Sequence, residues 1–232
     1  MSHVRKFRQM FSRLMILTVI IIGSLVPVQF WVSAQNPFEP AWVVRTIDTS
    51  EFDVVEPKGL AFSPSTNTFI VLDAVGTGTL LTIDEHKAGT RPLPETQGNA
   101  VNAAFDRSKG SLFVLNQGTG EIMEIKSDGQ GLPSPSAPKE RFAIGAFGIK
   151  DPQGITFNPA DGRLFILDSG NAQVVSVTPH PTLGFDANEA IRANKLQRIS
   201  LKKLGTGLFR GIAFNPSNGH LYISQPDQKK DL

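Results

Sequence analysis

Four segments of this chain align with one another without a gap, and that repetition constrains the fold more than any other feature. They are GLAFSPSTNTFIVLD from Gly59, NAAFDRSKGSLFVLN from Asn102, GITFNPADGRLFILD from Gly154 and GIAFNPSNGHLYISQ from Gly211. The starts lie 43, 52 and 57 residues apart. Each segment has Phe at its fourth position: Phe62, Phe105, Phe157 and Phe214. Each has an aromatic at the eleventh or twelfth: Phe69, Phe113, Phe165 and Tyr222. A polar residue closes each one: Asp73, Asn116, Asp168 and Gln225.

One unit can be read in physical terms. Ile155 to Phe157 form a short apolar strand, followed by a turn over Asn158 to Gly162. Pro presets φ there and Gly permits a positive φ, so the turn is a hairpin loop. The return strand, Leu164 to Leu167, is apolar throughout, so both of its faces must be covered. A turn over Ser169 to Asn171 leads to a third strand, Gln173 to Val177, and a fourth is expected at Leu196 to Leu201. Four antiparallel strands per repeat, with a period above 40, predict an all-β fold, a β-propeller of four-stranded blades. The four repeat phenylalanines are expected to be buried at equivalent strand positions. Blades start near residues 59, 102, 154 and 211, within a propeller region spanning 42–232.

The expected propeller is truncated at about 3.5 blades. The fourth repeat reaches its second strand at Leu221 to Ser224 and then enters a charged turn, Asp227 to Asp231. Trp42 to Ile47 alternates like a strand and would supply one outer strand. An open ring would present apolar blade faces, through which self-association is expected.

The first 34 residues have a different character. Arg5, Lys6, Arg8 and Arg13 form a basic start, Leu14 to Val26 a 13-residue apolar run, and Ser33-Ala34 a small-residue site. That order marks a secretory signal peptide over residues 1–34, cleaved after Ala34. The alternative is an uncleaved anchor crossing a membrane through residues 14–33. The chain is accordingly expected to be secreted or periplasmic, or membrane-anchored with the propeller outside the cytoplasm. With those four basic residues set aside, 19 basic residues stand against 21 acidic ones, which gives no reason to expect nucleic-acid binding. The chain has no cysteine, so disulfides and Cys-ligated metals are excluded.

The segment DPQGITFNPADGRLFILDSGNAQVVSV, Asp151 to Val177, resembles an NHL-type propeller repeat, with Gln173 where that family usually has arginine. The looser resemblance of the other repeats extends it from Trp42 to Gln225. It implies six blades and a superfamily that includes gluconolactonase-like hydrolases, streptogramin lyases and non-catalytic binding modules. Fold membership does not choose among these. The carboxylate and Asn metal cluster of the gluconolactonase-like enzymes cannot be matched to residues here.

Outside the repeats, Asp128 to Arg141 reads as a Gly/Pro/Ser-rich loop. Thr178 to Lys195 reads as an insertion with a short helix capped by Asp186, three residues before Glu189. Its basic side, Arg192, Lys195 and Arg198, offers a contact for an acidic partner or is simply solvated. Gly76-Thr77-Gly78 and Gly118-Thr119-Gly120 precede strands, not helices, and so are hairpin turns and not phosphate loops. Asp73, Asn116 and Asp168 are weak candidates for a ring of oxygen ligands to a divalent metal such as Ca²⁺; capping turns through local hydrogen bonds is the competing role. The histidines, His3, His86, His180 and His220, are scattered. His220 shares its slot with Arg163 and Ser111, which reads as solvent-tolerant. No catalytic residue and no cofactor-binding residue emerges. The leading expectation is an exported non-catalytic scaffold that binds a protein, a glycan or a small ligand through its loops. A metal-dependent hydrolase or lyase and a fragment without autonomous function are the alternatives.

Overall fold

The computed structural model describes residues 46–73, 79–84, 88–92, 100–127, 129, 131–134, 136–137, 139–182, 184–205 and 208–226. The leader, the Gly76-Thr77-Gly78 turn, His3, His86, the stretch from Asp227 and all but the last two residues of the Trp42 to Ile47 segment lie outside them. The chain divides into two units after Thr46, and every strand belongs to the second, Ile47–Leu232. Among the described residues no helix is long and apolar enough to cross a membrane.

Among the described residues, fourteen strands form four antiparallel sheets, each in simple up-and-down order. The first sheet holds β1 (Pro57–Ser63), β2 (Thr68–Asp73), β3 (Thr79–Ile83) and β4 (Ala88–Pro92). The second holds β5 (Ala100–Asp106), β6 (Ser111–Asn116), β7 (Glu121–Ile125) and β8 (Lys139–Ala143). The third holds β9 (Pro152–Asn158), β10 (Arg163–Asp168), β11 (Gln173–Val177) and β12 (Leu196–Ser200). The fourth holds β13 (Gly211–Asn215) and β14 (His220–Ser224). Successive sheets meet through their first strands: β1 lies beside β5, β5 beside β9 and β9 beside β13. This is the arrangement of neighbouring propeller blades around a common axis.

The hairpins that open the second, third and fourth blades are built the same way. In the third, Asn158 Oδ1 accepts the Ala160 N–H at 3.0 Å, and the Gly162 N–H returns to the Asn158 carbonyl at 3.0 Å. Gly162 takes φ 72°, which only glycine adopts at little cost. Asp106 with Gly110 and Asn215 with Gly219 repeat the same pair of bonds. The first strand carries a register shift at its start in three blades, between Pro57 and Gly59, Ala100 and Asn102, and Pro152 and Gly154. A Cβ on Gly154 would come within 3.1 Å of Ile212 in the next blade, so the glycine lets two inner strands approach closely.

The core is divided between blade junctions. The twelfth repeat position faces the following blade and the fourth faces the preceding one. Phe113 therefore stacks on Phe157 with centroids 5.6 Å apart, and Phe165 on Phe214 at 5.7 Å, both at 17° between planes. Two expectations need correcting here. Of the four repeat phenylalanines only Phe157 is fully buried; Phe105 and Phe214 are partly buried, and Phe62 is 41% exposed. Apolar return strands are likewise not covered on both faces in every blade, since Phe69 on β2 is exposed. The cause is the same for both. No described residue packs over that face of the first sheet as the first and second sheets pack over their successors.

The insertion in the third blade holds α1 (Ala187–Arg192), capped by Asp186 Oδ1, which accepts the Glu189 N–H at 2.8 Å. Arg192 pairs with Glu189, Lys195 donates to the Pro179 carbonyl at 3.5 Å, and Arg198 donates to the Phe147 carbonyl at 2.9 Å.

Candidate functional site

The inner strands enclose a cavity of about 610 Å³. All four blades contribute to its lining, through Phe62, Phe105, Phe157 and Phe214 and through the residues that flank the first strands. The volume lies in the range of small-molecule pockets, which are mostly apolar with a few placed polar groups. Three blades supply glycine at the first repeat position, Gly59, Gly154 and Gly211; the second supplies Asn102. Three supply proline at the sixth, Pro64, Pro159 and Pro216; the second supplies Arg107. Asn102 and Arg107 both line the cavity, Asn102 half-buried and Arg107 exposed. Arg107 follows the end of β5, five residue steps from Asn102, a span of about 16 Å at the usual strand rise. Among the described residues, no hydrogen bond engages either side chain.

Asp73, Asn116 and Asp168 sit at equivalent ends of β2, β6 and β10, all buried. Each hydrogen-bonds within its own blade. Asp73 Oδ1 accepts the Glu56 N–H at 3.0 Å, and Asn116 Oδ1 accepts the Thr119 N–H at 3.1 Å. Asp168 has more partners. Its Oδ1 accepts the N–H groups of Lys150 and Asp151 at 3.2 and 3.0 Å, and its Oδ2 accepts from Asn171 at 2.6 Å and Gln173 at 3.0 Å. Burial pushes its carboxyl up, but the bonds from Asp151, Gln173, Asn171 and Lys150 together outweigh burial and hold it below the ordinary value. The acid thereby fastens the entry of β9 to the β10–β11 turn. Gln173 is one of its donors.

The structure also gathers a polar cluster that the linear pattern does not announce. Glu124 on β7 is 5% exposed and lies opposite Glu140 on β8. Lys126 donates to Glu140 at 2.5 Å. With Lys109, Ser111 and His180 these residues line a cleft of about 520 Å³ under the loop of the third-blade insertion. Burial raises the Glu124 carboxyl, with the Glu140 charge adding to it; a hydrogen bond from Ser111 and the charges of Lys109 and Lys126 oppose the shift. Ser111 is itself buried, and so is Thr68 in the same slot of the first blade. The slot shared with His220 is therefore not generally solvent-tolerant: it is buried in the first and second blades, half-buried at Arg163 and exposed at His220. His180 and His220 lie apart, His180 in the insertion and His220 on β14. Among the described residues no three Asp, Glu or His side chains are grouped as metal ligands would be.

No protein-family model matches the sequence, and no curated protein matches it. Solved structures do match. The structure of the nidogen/laminin complex aligns with TM-score 0.54 and 18% identity, over 73% of this chain and 56% of that one. The calcium-binding protein regucalcin from Agrobacterium tumefaciens aligns with TM-score 0.52 and 18% identity, over 75% and 55%. A luciferin-regenerating enzyme aligns with TM-score 0.52 and 15% identity, over 74% and 54%. The chain shares the β-propeller fold of these structures. It spans about half the length of these propeller neighbours. At such identities the likeness is one of fold, and the neighbours themselves include a calcium-binding protein, an enzyme and a member of a protein complex.

Proposed function

We propose that this propeller is an exported, non-catalytic binding module that takes a small ligand, a glycan or a protein segment at the cavity between its inner strands. One observation carries the reading. The second blade breaks the repeat at two positions, Asn102 for Gly and Arg107 for Pro, and both replacements bring a polar group to that cavity. A repeat selected only to pack has no reason to place a carboxamide and a guanidinium at opposite ends of an apolar cleft. Arg107 favours an anionic group on the ligand, since its planar fork matches a carboxylate or phosphate. The inner-strand phenylalanines suit an apolar or ring-shaped body. Export rests on the basic, apolar, small-residue order of residues 1–34.

Thermal shift titration separates this reading from a metal-dependent hydrolase or lyase, which the calcium-binding and enzyme neighbours favour. Aromatic carboxylates and uronic-acid sugars are expected to stabilise the protein, by about 2.7 kcal/mol at a hundredfold excess over Kd. Arg107→Ala should abolish the effect. Ca²⁺, Mn²⁺ and Zn²⁺ should leave the midpoint unchanged. A large stabilisation by one of these ions, with no response to the carboxylates, would overturn the proposal in favour of the metal-dependent enzyme.

A further inference from the structure

A second cleft, away from the inner-strand cavity, gathers positive charge. It has a volume of about 450 Å³ and lies at the end of the third sheet where β9 and β11 begin and β12 ends. Lys150, Arg198 and Lys202 line it, together with Asn171, Gln173 and Ser200; among the described residues no acidic side chain does. Arg198 lies opposite Val175 across the β11–β12 pair, and such partners project from the same side of a sheet. Val175 packs with Phe113 and Ile155 in the core that joins the second blade to the third. The cleft therefore sits at the junction of two sheets that each hold four strands.

The surrounding chain fixes several of these groups. Arg198 Nη2 donates to the Phe147 carbonyl at 2.9 Å. A Cβ on Gly148 would come within 3.2 Å of that nitrogen, so the glycine leaves room for the guanidinium. Asn171 and Gln173 both donate to Asp168 Oδ2, and among the described residues no donor reaches their carbonyl oxygens. The Asp168 carboxylate, one hydrogen bond behind them, already has four donors. Lys150 and Lys202 are exposed and make no ion pair or side-chain hydrogen bond among the described residues. Of the three basic residues at the insertion, Arg192 pairs with Glu189 and Lys195 turns to Pro179, while Arg198 joins the lysines of the cleft.

We infer that this cleft binds a sugar carrying a phosphate or sulfate ester. Three like charges around one cleft repel one another, and a tetrahedral oxyanion among them removes that repulsion. Arg198 offers it a planar fork already held in place, and the two lysines offer movable point charges. The carbonyl oxygens of Asn171 and Gln173 accept from the sugar hydroxyls. The volume is of the size that small-molecule pockets have, and well beyond what a bare oxyanion fills. The cleft shares no residue with the inner-strand cavity and does not depend on what that cavity binds.

Isothermal titration calorimetry of the full chain with glucose 6-phosphate, glucose 6-sulfate, inorganic phosphate and glucose is the test. Binding of either ester supports the site, and the tighter of the two identifies the acid. Glucose is expected not to bind, and added salt should weaken the ester. The double variant Lys150→Ala, Lys202→Ala should lose affinity by about tenfold or more, at unchanged circular dichroism. Lys203→Ala, beside Lys202 but outside the cleft, should bind as the unaltered protein does. Failure of both esters to bind at millimolar concentration would overturn the inference. So would binding that survives the double variant, or that Arg107→Ala removes, since either places the anion elsewhere. Inorganic phosphate binding as tightly as the esters would overturn the sugar.

Discussion

The first and third blades share a repeat but not an environment. Phe157 in the third is buried and stacked on Phe113 from the blade before it. Phe62, its counterpart in the first, has no preceding blade among the described residues and instead leans on Phe69 across its own hairpin, centroids 5.0 Å apart and tilted by 47°. Backbone register is the same in both: Phe62 faces Phe69 and Phe157 faces Leu164 across the first hairpin. A blade is thus specified locally as a hairpin, while the value of its side chains is set by the sheet that lies against it. This is the nearest-neighbour energetics of a repeat protein, observed within one chain.

The largest expected effect comes from that contrast. Phe157→Ala should cost about 3–5 kcal/mol, the range for truncating a packed aromatic. Phe62→Ala, on the open face, should cost less than about 1 kcal/mol in the monomer, the background of ordinary substitutions. Urea unfolding of both variants at low protein concentration is the check. Equal losses would show that the first blade is covered in solution.

Asp168 gives the next contrast, because the third blade closes its turn with a carboxylate that has four donors. Asp168→Asn should cost about 2–3 kcal/mol, since an amide nitrogen must then face the side-chain donors of Asn171 or Gln173. The lowered carboxyl adds a pH signature. A group held below its ordinary value of 3.8 contributes stability that is fully present above that value and is lost as pH falls through the lowered one. The variant should therefore lack the share of the acid-side fall in stability below about pH 4 that Asp168 contributes in the unaltered protein.

Even the first blade has one covered face, and glycine reports on it. A Cβ on Gly59 would come within 3.0 Å of Leu72 and 3.1 Å of the Ala103 nitrogen. Gly59→Val and Gly154→Val should each cost about 1–2 kcal/mol by overpacking, read from thermal midpoints. A harmless Gly59→Val would mean that the first two inner strands are less closely joined than the next pair.

Much of this architecture is legible in the sequence because it is local. The Asn-Pro and Asp-Gly turns, the strand lengths and the four-strand period come from φ preferences and apolar runs within each repeat. Asp186 is readable as a cap for the same reason. The exposure of Phe62 is not, since a side chain's burial depends on a sheet that the repeat itself does not encode. Asn102 and Arg107 stand in plain view as departures from the repeat, but only the placement of all four first strands around one cavity gives them a common setting. The Glu124 cluster is beyond linear reading: β7, β8 and the loop near His180 meet only when the third-blade insertion folds back over the second sheet.

Glu124 provides the smallest and most diagnostic effect, opposite in sign to that of Asp168. It sits 5% exposed with Glu140 across the strand pair, so burial first and the neighbouring carboxylate second favour its protonated form. The folded protein then holds a proton that the unfolded chain releases at the ordinary value of 4.5. Stability from this group is greatest below that value and falls as pH rises through the raised one. Glu124→Gln keeps the shape and the hydrogen-bonding partner of Ser111 but carries no charge at any pH. It should be nearly neutral at pH 4 and stabilising at pH 7, by on the order of 1 kcal/mol or less. Thermal melts of the two proteins across pH 4 to 8 make the comparison. If the difference between them does not grow with pH, Glu124 ionises in the fold as it does in water, and the second blade's outer face is more open than its buried Ser111 indicates.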